Sequence, residues 1–140
     1  MMKIKRLLEH AKLPHKAHAG DLGYDLFCSE EVVIYAGQTT LVPTGIAIQF
    51  PDGYGAIIRD RSSVATKRGL FTVAGVIDNG YTGEIKIALH NSTDSVDRVL
   101  VGEKIAQLVL IPTVDFMVEE VTEIVSSDNR GEGGFGSTGV

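Results

Sequence analysis

Apolar and polar residues alternate in short runs along this chain, and most of the runs are too brief for anything but strands. The cleanest is EIKIALHN (84–91), where Ile85, Ile87 and Leu89 fall on one face and Glu84, Lys86 and His90 on the other. Side chains alternate across a pleated strand, so this pattern predicts a strand with the three aliphatic residues inward. EVVIYAG (31–37) is an apolar run closed by glycine. TTLVPTGIAIQF (39–50) reads as a strand interrupted at Pro43-Thr44-Gly45, after which Ile46, Ile48 and Phe50 share a face. PDGYGAIIRD (51–60) supplies a turn and a short strand, and KIAQLVLIP (104–112) and VDFMVEEVTEIV (114–125) complete the set. Within KIAQLVLIP, Gln107 is expected on one face with Ile105 and Val109.

One helix is expected, over SVATKRG (63–69), capped by Ser62 or Ser63 and ended by Gly69. The alternating helices that a doubly wound sheet requires are absent. The pattern therefore predicts a single all-β domain, a barrel or double sheet, over 1–125, followed by a glycine-rich C-terminal arm over 126–140. Gly131, Gly133, Gly134, Gly136 and Gly139 crowd that arm. Such a segment either frays or closes on something.

Composition narrows the class. At 140 residues, 44% hydrophobic and 22% charged, the chain has the makings of one globular core. A net charge of -5 excludes stable nonspecific nucleic-acid binding, which needs a basic surface, but leaves room for a compact phosphate pocket. Cys28 is the only cysteine, so an intrachain disulfide and a cysteine-based zinc site are both excluded. The opening MMKIKRLLEHAKLPHKAHAG holds no unbroken apolar stretch of the signal-peptide kind, and no later run is long enough to span a bilayer. A cytoplasmic location without membrane contact is expected, with the nucleus open for a eukaryotic or viral source. The acceptor-like triplet at Asn91 is then a coincidence.

Candidate chemistry lies in four clusters and the arm. In AGVIDNGYTGEI, Asp78 either closes a turn with its own side chain or is held rigidly between two strands of a hairpin, where it would orient and deprotonate a water. Tyr81 beyond it suits stacking, and the exposed backbone from Thr72 to Gly75 suits reading the edge of a planar ring. In RDRSSVATKRG, Arg61, Ser62 and Ser63 present a guanidinium and two hydroxyls suited to phosphate, or else an ordinary helix start; Lys67 and Arg68 are expected in solvent. In AGDLGYDLFCSE, at least one of Asp21 and Asp25 is expected in a glycine-punctuated loop leading into a strand, either as an ordinary turn residue or, the pair being too sparse for a metal cage, as a partner for a hydrated Mg2+ arriving with its ligand. In GEKIAQLVLIP, Gln107 either ends a strand ladder or donates to phosphate, and Lys104 is expected exposed, with a nonspecific electrostatic contribution as the alternative. In the arm, Arg130 offers donors to a phosphate, Phe135 a ring face, and Gly136, Ser137 and Thr138 backbone N–H groups and hydroxyls. GGFGST lacks the lysine and the strand–loop–helix setting of a Walker motif.

Taken in order, GYDLF, RSSVATKRGL, GVIDNGYTGEI, GEKIAQLVLIP and RGEGGFGSTG resemble the five motifs of the trimeric dUTP pyrophosphatase (dUTPase) family, from about Lys12 to the C-terminus. The resemblance implies a jelly-roll-like β domain assembling as a homotrimer with composite sites between subunits. It implies hydrolysis of dUTP to dUMP and pyrophosphate, limiting uracil incorporation into DNA and supplying dUMP for thymidylate synthesis. Asp78 would activate water for in-line attack on the α-phosphorus. Tyr81 would pack under deoxyribose, and main-chain groups of the hairpin approached by Thr72 to Val76 would read uracil. Arg61, Ser62, Ser63 and Gln107 would hold phosphates, Lys86 would join the substrate-binding set, and Asp25 would meet Mg2+ through its waters. Arg130, Phe135, Gly136, Ser137 and Thr138 would close the site from a neighbouring subunit.

Two positions depart from the family pattern. Asp60 stands where many relatives carry proline or glycine and is expected to turn outward or pair with Arg59; Asn79-Gly80 replaces a more acidic pair in the turn. Two other readings remain open on sequence: a dCTP deaminase or bifunctional deaminase-pyrophosphatase of the same fold, with Glu84 a weak candidate for the proton shuttle, and a nucleotide-binding trimer without turnover.

Overall fold

Among the described residues, ten strands and one helix build the domain, in the order β1 (Lys3–Arg6), β2 (Tyr24–Phe27), β3 (Val32–Ile34), β4 (Thr39–Gln49), β5 (Tyr54–Asp60), α1 (Ser62–Arg68), β6 (Leu70–Thr72), β7 (Val76–Ile77), β8 (Glu84–Asn91), β9 (Asp97–Val99) and β10 (Lys104–Pro112). The structure is a computed structural model that describes residues 1–139; the last residue of the expected arm, Val140, lies outside the described residues. Two four-stranded antiparallel sheets, ordered β1-β4-β8-β6 and β2-β10-β5-β7, are accompanied by the two-stranded ribbon β3-β9. This is the expected all-β, jelly-roll-like double sheet.

The alternation in β8 is what closes the core. Ile85, Ile87 and Leu89 are fully buried, and with Ile46 and Ile48 of β4 they join Leu26, Ile58 and Leu108 of the other sheet in one cluster. Each such side chain contributes about 1.5–3 kcal/mol on burial. At Pro43-Thr44-Gly45 the strand does not stop: its register on β8 jumps from Pro43 opposite Lys86 to Ala47 opposite Glu84. A bulge absorbs the irregular residues, with the Thr44 hydroxyl donating to the Ile85 carbonyl at 2.6 Å. Asn91 is fully buried, its amide donating to the carbonyls of Ile34 and Ser95.

Helix α1 appears where expected and ends at Gly69, whose φ of 64° is the left-handed cap that suits glycine. Its start differs from expectation. Arg61 occupies the cap position, and no side chain caps the first turn, so Ser62 and Ser63 keep their hydroxyls outside that role. Arg68 also departs from expectation. Its guanidinium is half-buried, donating to both Asp97 oxygens at 2.9 and 3.0 Å and to Glu103 at 2.8 Å. These bonds, that to Asp97 foremost, push the Arg68 pKa further up, and the same hydrogen bond holds the Asp97 carboxyl below its usual value. Helix α1 is thereby tied to β9 and to the turn that enters β10.

The expected strand over VDFMVEEVTEIV is not formed. After Thr113 donates to the Gly53 carbonyl at 2.8 Å, no hydrogen bond among the described residues joins 114–139 to the body. Phe116, Met117, Val118 and Ile124 stand 84–100% exposed. A strand is a pairing, and this segment has no partner among the described residues. No helix among the described residues is long and apolar enough to cross a membrane.

Candidate active site

The end of β5 leads into the residues expected to meet phosphate. Asp60 closes the strand, Arg61 is extended (φ -85°, ψ 133°), and Ser62 and Ser63 begin α1 with exposed side chains. Strand β2 lies along β10 with Asp25 opposite Gln107, so GYDLF and GEKIAQ meet beside them. Asp25, Arg61, Ser62, Ser63, Lys104 and Gln107 all line one cavity of about 450 Å³, to which Asp21 also contributes. Asp25 is clasped from two sides: Arg61 Nε donates to Oδ1 at 3.0 Å and Lys104 Nζ lies 2.8 Å from Oδ2. Lys104 is exposed, as expected, and also belongs to this cluster; an isolated lysine carries no local signal for so specific a partner.

Gln107 faces the cavity but does not share a face with Ile105. A register shift between Lys104 and Ala106 leaves Ile105 and Ala106 both fully buried and Gln107 half-buried. Gly23 makes room for it: a Cβ there would approach Gln107 Cδ to 2.9 Å. Gln107 Nε2 donates to the Asp60 carbonyl at 2.7 Å, leaving its second N–H for another acceptor. Asp60 itself neither turns outward nor pairs with Arg59. Its Oδ1 accepts the N–H and the hydroxyl of Thr72, both at 2.6 Å.

The donor set speaks to the metal. Among the described residues no group of three His, Cys, Asp or Glu side chains is placed to hold a cation. Asp25 and Asp21 line the cavity, and the Asp25 oxygens already face two cations. These residues fit a hydrated Mg2+ carried by a polyphosphate, met through water, and do not fit a resident ion.

The Asp78 segment is built differently from a hairpin. Strand β6 pairs with β8, β7 crosses to pair with β5, and the chain then returns to β8, so the strands flanking Asp78 lie in different sheets. With only Val76 and Ile77 in β7, the pairing goes to β5 (Ala56 opposite Ile77) rather than across the turn. Two amide bonds from Asn79 to the carbonyls of Pro51 and Tyr54, at 2.9 and 2.7 Å, pin the turn to the body. The turn closes through the backbone, Tyr81 N–H to Asp78 carbonyl at 3.1 Å. The exposed Asp78 carboxylate makes no hydrogen bond among the described residues, so it does not serve as the turn's own cap. Tyr81 lies over Gly83, where a Cβ would meet its Cζ at 2.7 Å, and its hydroxyl donates to the Glu84 carbonyl at 2.9 Å.

The remaining candidates are dispersed. Val76 is exposed, and the N–H and hydroxyl of Thr72 are taken by Asp60. Lys86 points from β8 toward Glu84 at 3.8 Å and lines neither this cavity nor a second one of about 580 Å³ between β1, β4 and the 79–82 turn. The carboxylate of Glu84 accepts the Gly45 N–H at 2.9 Å, which commits it to the β4 bulge and weakens its case as a deaminase proton shuttle. In the arm, Arg130 donates to the Gly133 carbonyl at 3.1 Å, and successive turns leave Phe135 (φ 48°) fully exposed with Gly136, Ser137 and Thr138. Among the described residues, neither the Arg61 cavity nor the one between β1, β4 and the 79–82 turn is lined by Asp78 or by the arm.

Comparisons with known proteins follow the same lines. The dUTPase family model matches residues 9–139. Deoxyuridine 5'-triphosphate nucleotidohydrolases of Clostridium tetani and Clostridium acetobutylicum are each 47% identical to this chain, covering 99% of it and 96–97% of their own length. Among solved structures, the dUTPase of Staphylococcus bacteriophage 80alpha with dUpNHpp superposes at a TM-score of 0.93 and 32% identity, over 100% of this chain and 99% of that one. A mutant dUTPase from phage phi11 of S. aureus, described with coordination of a structural Mg(II) ion, matches at a TM-score of 0.83 and 27% identity over 90% and 99%. With the family model spanning nearly the whole chain and 47% identity sustained along it, the chain belongs to the dUTPase family.

Proposed function

We infer that this chain hydrolyses dUTP to dUMP and pyrophosphate, with Asp78 as the base. The observation that carries the assignment of Asp78 is that its turn is closed and anchored by main-chain and Asn79 bonds while its carboxylate stays unengaged. A carboxylate on a fixed turn can take the proton of a water as that water's oxygen bonds to the α-phosphorus; the bond to the bridging oxygen breaks in line and pyrophosphate leaves. Arg61, Ser62, Ser63 and Gln107, with Lys104, donate to the phosphates from the cavity they line. Tyr81 packs against deoxyribose and leaves no room for a 2'-hydroxyl, and main-chain groups between Thr72 and Val76 read uracil. When bound, Mg2+ supplies charge neutralisation of the triphosphate, met through water by Asp25.

The separation of the three groups within one chain supports a homotrimer whose sites draw on more than one subunit. The unpaired 114–125 segment supports it too. Its apolar side chains stand in water, and its Asp115, Glu119, Glu120 and Glu123 complement the basic β1 strand (Lys3, Lys5, Arg6) at the edge of its sheet. In that assembly Arg130 meets a terminal phosphate, Phe135 covers uracil, and Gly136, Ser137 and Thr138 donate to the phosphates from a neighbouring arm.

Asp78→Asn tests the assignment. The variant should bind dUpNHpp with near-normal affinity while hydrolysis falls about 10²–10⁴-fold, the span of general-base catalysis. Unchanged turnover would remove Asp78 from the reaction.

A further inference from the structure

Asp60 immediately precedes the cavity-lining Arg61, and both of its polar ends are engaged by residues of other strands. Its carboxylate holds Thr72 of β6 by two hydrogen bonds at 2.6 Å, and its carbonyl holds Gln107 of β10 at 2.7 Å. One residue at the end of β5 thus joins the strand that leads into the Asp78 segment to the strand that carries Gln107. Extended backbone turns successive side chains to opposite sides. The Arg61 guanidinium accordingly enters the cavity, and the Asp60 carboxylate is not among the cavity's lining groups. A carboxylate facing a triphosphate would repel it; here the charge is directed to two donors on the far side.

We propose that Asp60 is a positioning residue for dUTP hydrolysis: its clamp on Thr72, together with the Asp60–Gln107 bond, sets the level at which Arg61, Ser62, Ser63 and Gln107 meet the phosphates. The inference rests on the proposed phosphate role of those four residues. Loss of the carboxylate frees the β5 end from β6, so the donors lose their common frame even though none of them is altered. Charge-assisted bonds of this kind are strong enough for the loss to be measured as affinity.

The test is a double-mutant cycle on the full chain, read by calorimetric affinity for dUpNHpp and for dUMP, with kcat and KM for dUTP and the melting midpoint alongside. Asp60→Ala is expected to weaken dUpNHpp about tenfold and raise KM in step, with a smaller change for dUMP, which keeps one phosphate of three. Asp60→Asn, whose amide oxygen still accepts from Thr72, should recover most of the affinity. Thr72→Val removes the hydroxyl bond at nearly constant volume and should reproduce a few-fold part of the loss; combined with Asp60→Ala it should add nothing. If Asp60→Ala does not fold, Thr72→Val against Thr72→Ser carries the same comparison. Additive losses, equal losses for dUMP and dUpNHpp, or no recovery in Asp60→Asn would overturn the clamp while leaving the proposed hydrolysis intact. Failure of the wild-type chain to bind dUpNHpp would overturn both.

Discussion

Arg61, the residue that joins β5 to α1, and Asp25 of β2 meet side chain to side chain, Nε to Oδ1 at 3.0 Å, with Lys104 Nζ 2.8 Å from the other oxygen. The carboxylate holds the Arg61 and Lys104 side chains in place at the edge of the cavity, where the proposed triphosphate would meet them. If Asp25 also meets hydrated Mg2+, then Asp25→Asn should raise the Mg2+ concentration for half-maximal hydrolysis about tenfold, the usual scale for an outer-sphere partner. A Mg2+ titration of steady-state rate reads this directly, and an unshifted midpoint would confine Asp25 to organising Arg61 and Lys104.

Arg68 governs a pH-dependent part of stability. Its hydrogen bond depresses the Asp97 carboxyl below the usual value, so the contribution is complete above the unfolded pKa near 3.9 and is lost as pH falls through the lower folded value. The pair is only partly buried, with side chains 28% exposed, which places Arg68→Ala at a loss of about 1–2 kcal/mol at pH 7. Urea unfolding at pH 7 and at pH 3 should show that gap narrowing in acid. A gap independent of pH would attribute the loss to packing alone.

Gly83 sets the height of the Tyr81 ring. A Cβ at Gly83 would stand 2.7 Å from Tyr81 Cζ, so Gly83→Ala must displace the ring. The ratio of kcat/KM for dUTP over UTP should fall about tenfold, with a smaller change in the melting midpoint. An unaltered ratio would show that the ring does not discriminate the sugar.

Phe116 and Val118 are exposed in the single chain at 84% and 99%. Replacing both with aspartate should leave the β domain folded and, if the proposed homotrimer buries them between subunits at about 1.5–3 kcal/mol each, shift sedimentation from trimer toward monomer. Retention of the trimer would place the interface elsewhere.

Deleting 126–140 should preserve the fold, since the last strand ends at Pro112, and the proposed oligomer, since 114–125 is kept. Hydrolysis should fall at least about tenfold even at saturating dUTP, because contacts completed on closure favour the transition state. Arm-deleted chains mixed with Asp78→Asn chains under subunit exchange should regain activity. Exchange without recovery would mean that each arm closes on its own chain's Asp78.

Much of this was legible in the sequence for a local reason. Side-chain alternation in β8 and glycine punctuation at Gly69 are encoded within a few residues, so the strand, its buried face and the helix end could all be read directly. Arg61, Ser62, Ser63 and Gln107, which the sequence offers as phosphate donors, and Asp25, which it offers as a partner for hydrated Mg2+, line one cavity. Tertiary structure decided the partners. It sent β7 to β5 instead of across its own turn, turned Asp60 onto Thr72, drew Arg68 to Asp97, added Lys104 to Asp25, and left 114–125 without a strand to pair with. Periodicity fixes which face a side chain takes. Which strand or charge comes to meet that face depends on chain segments tens of residues away, and only the packed sheets bring those segments within hydrogen-bonding reach.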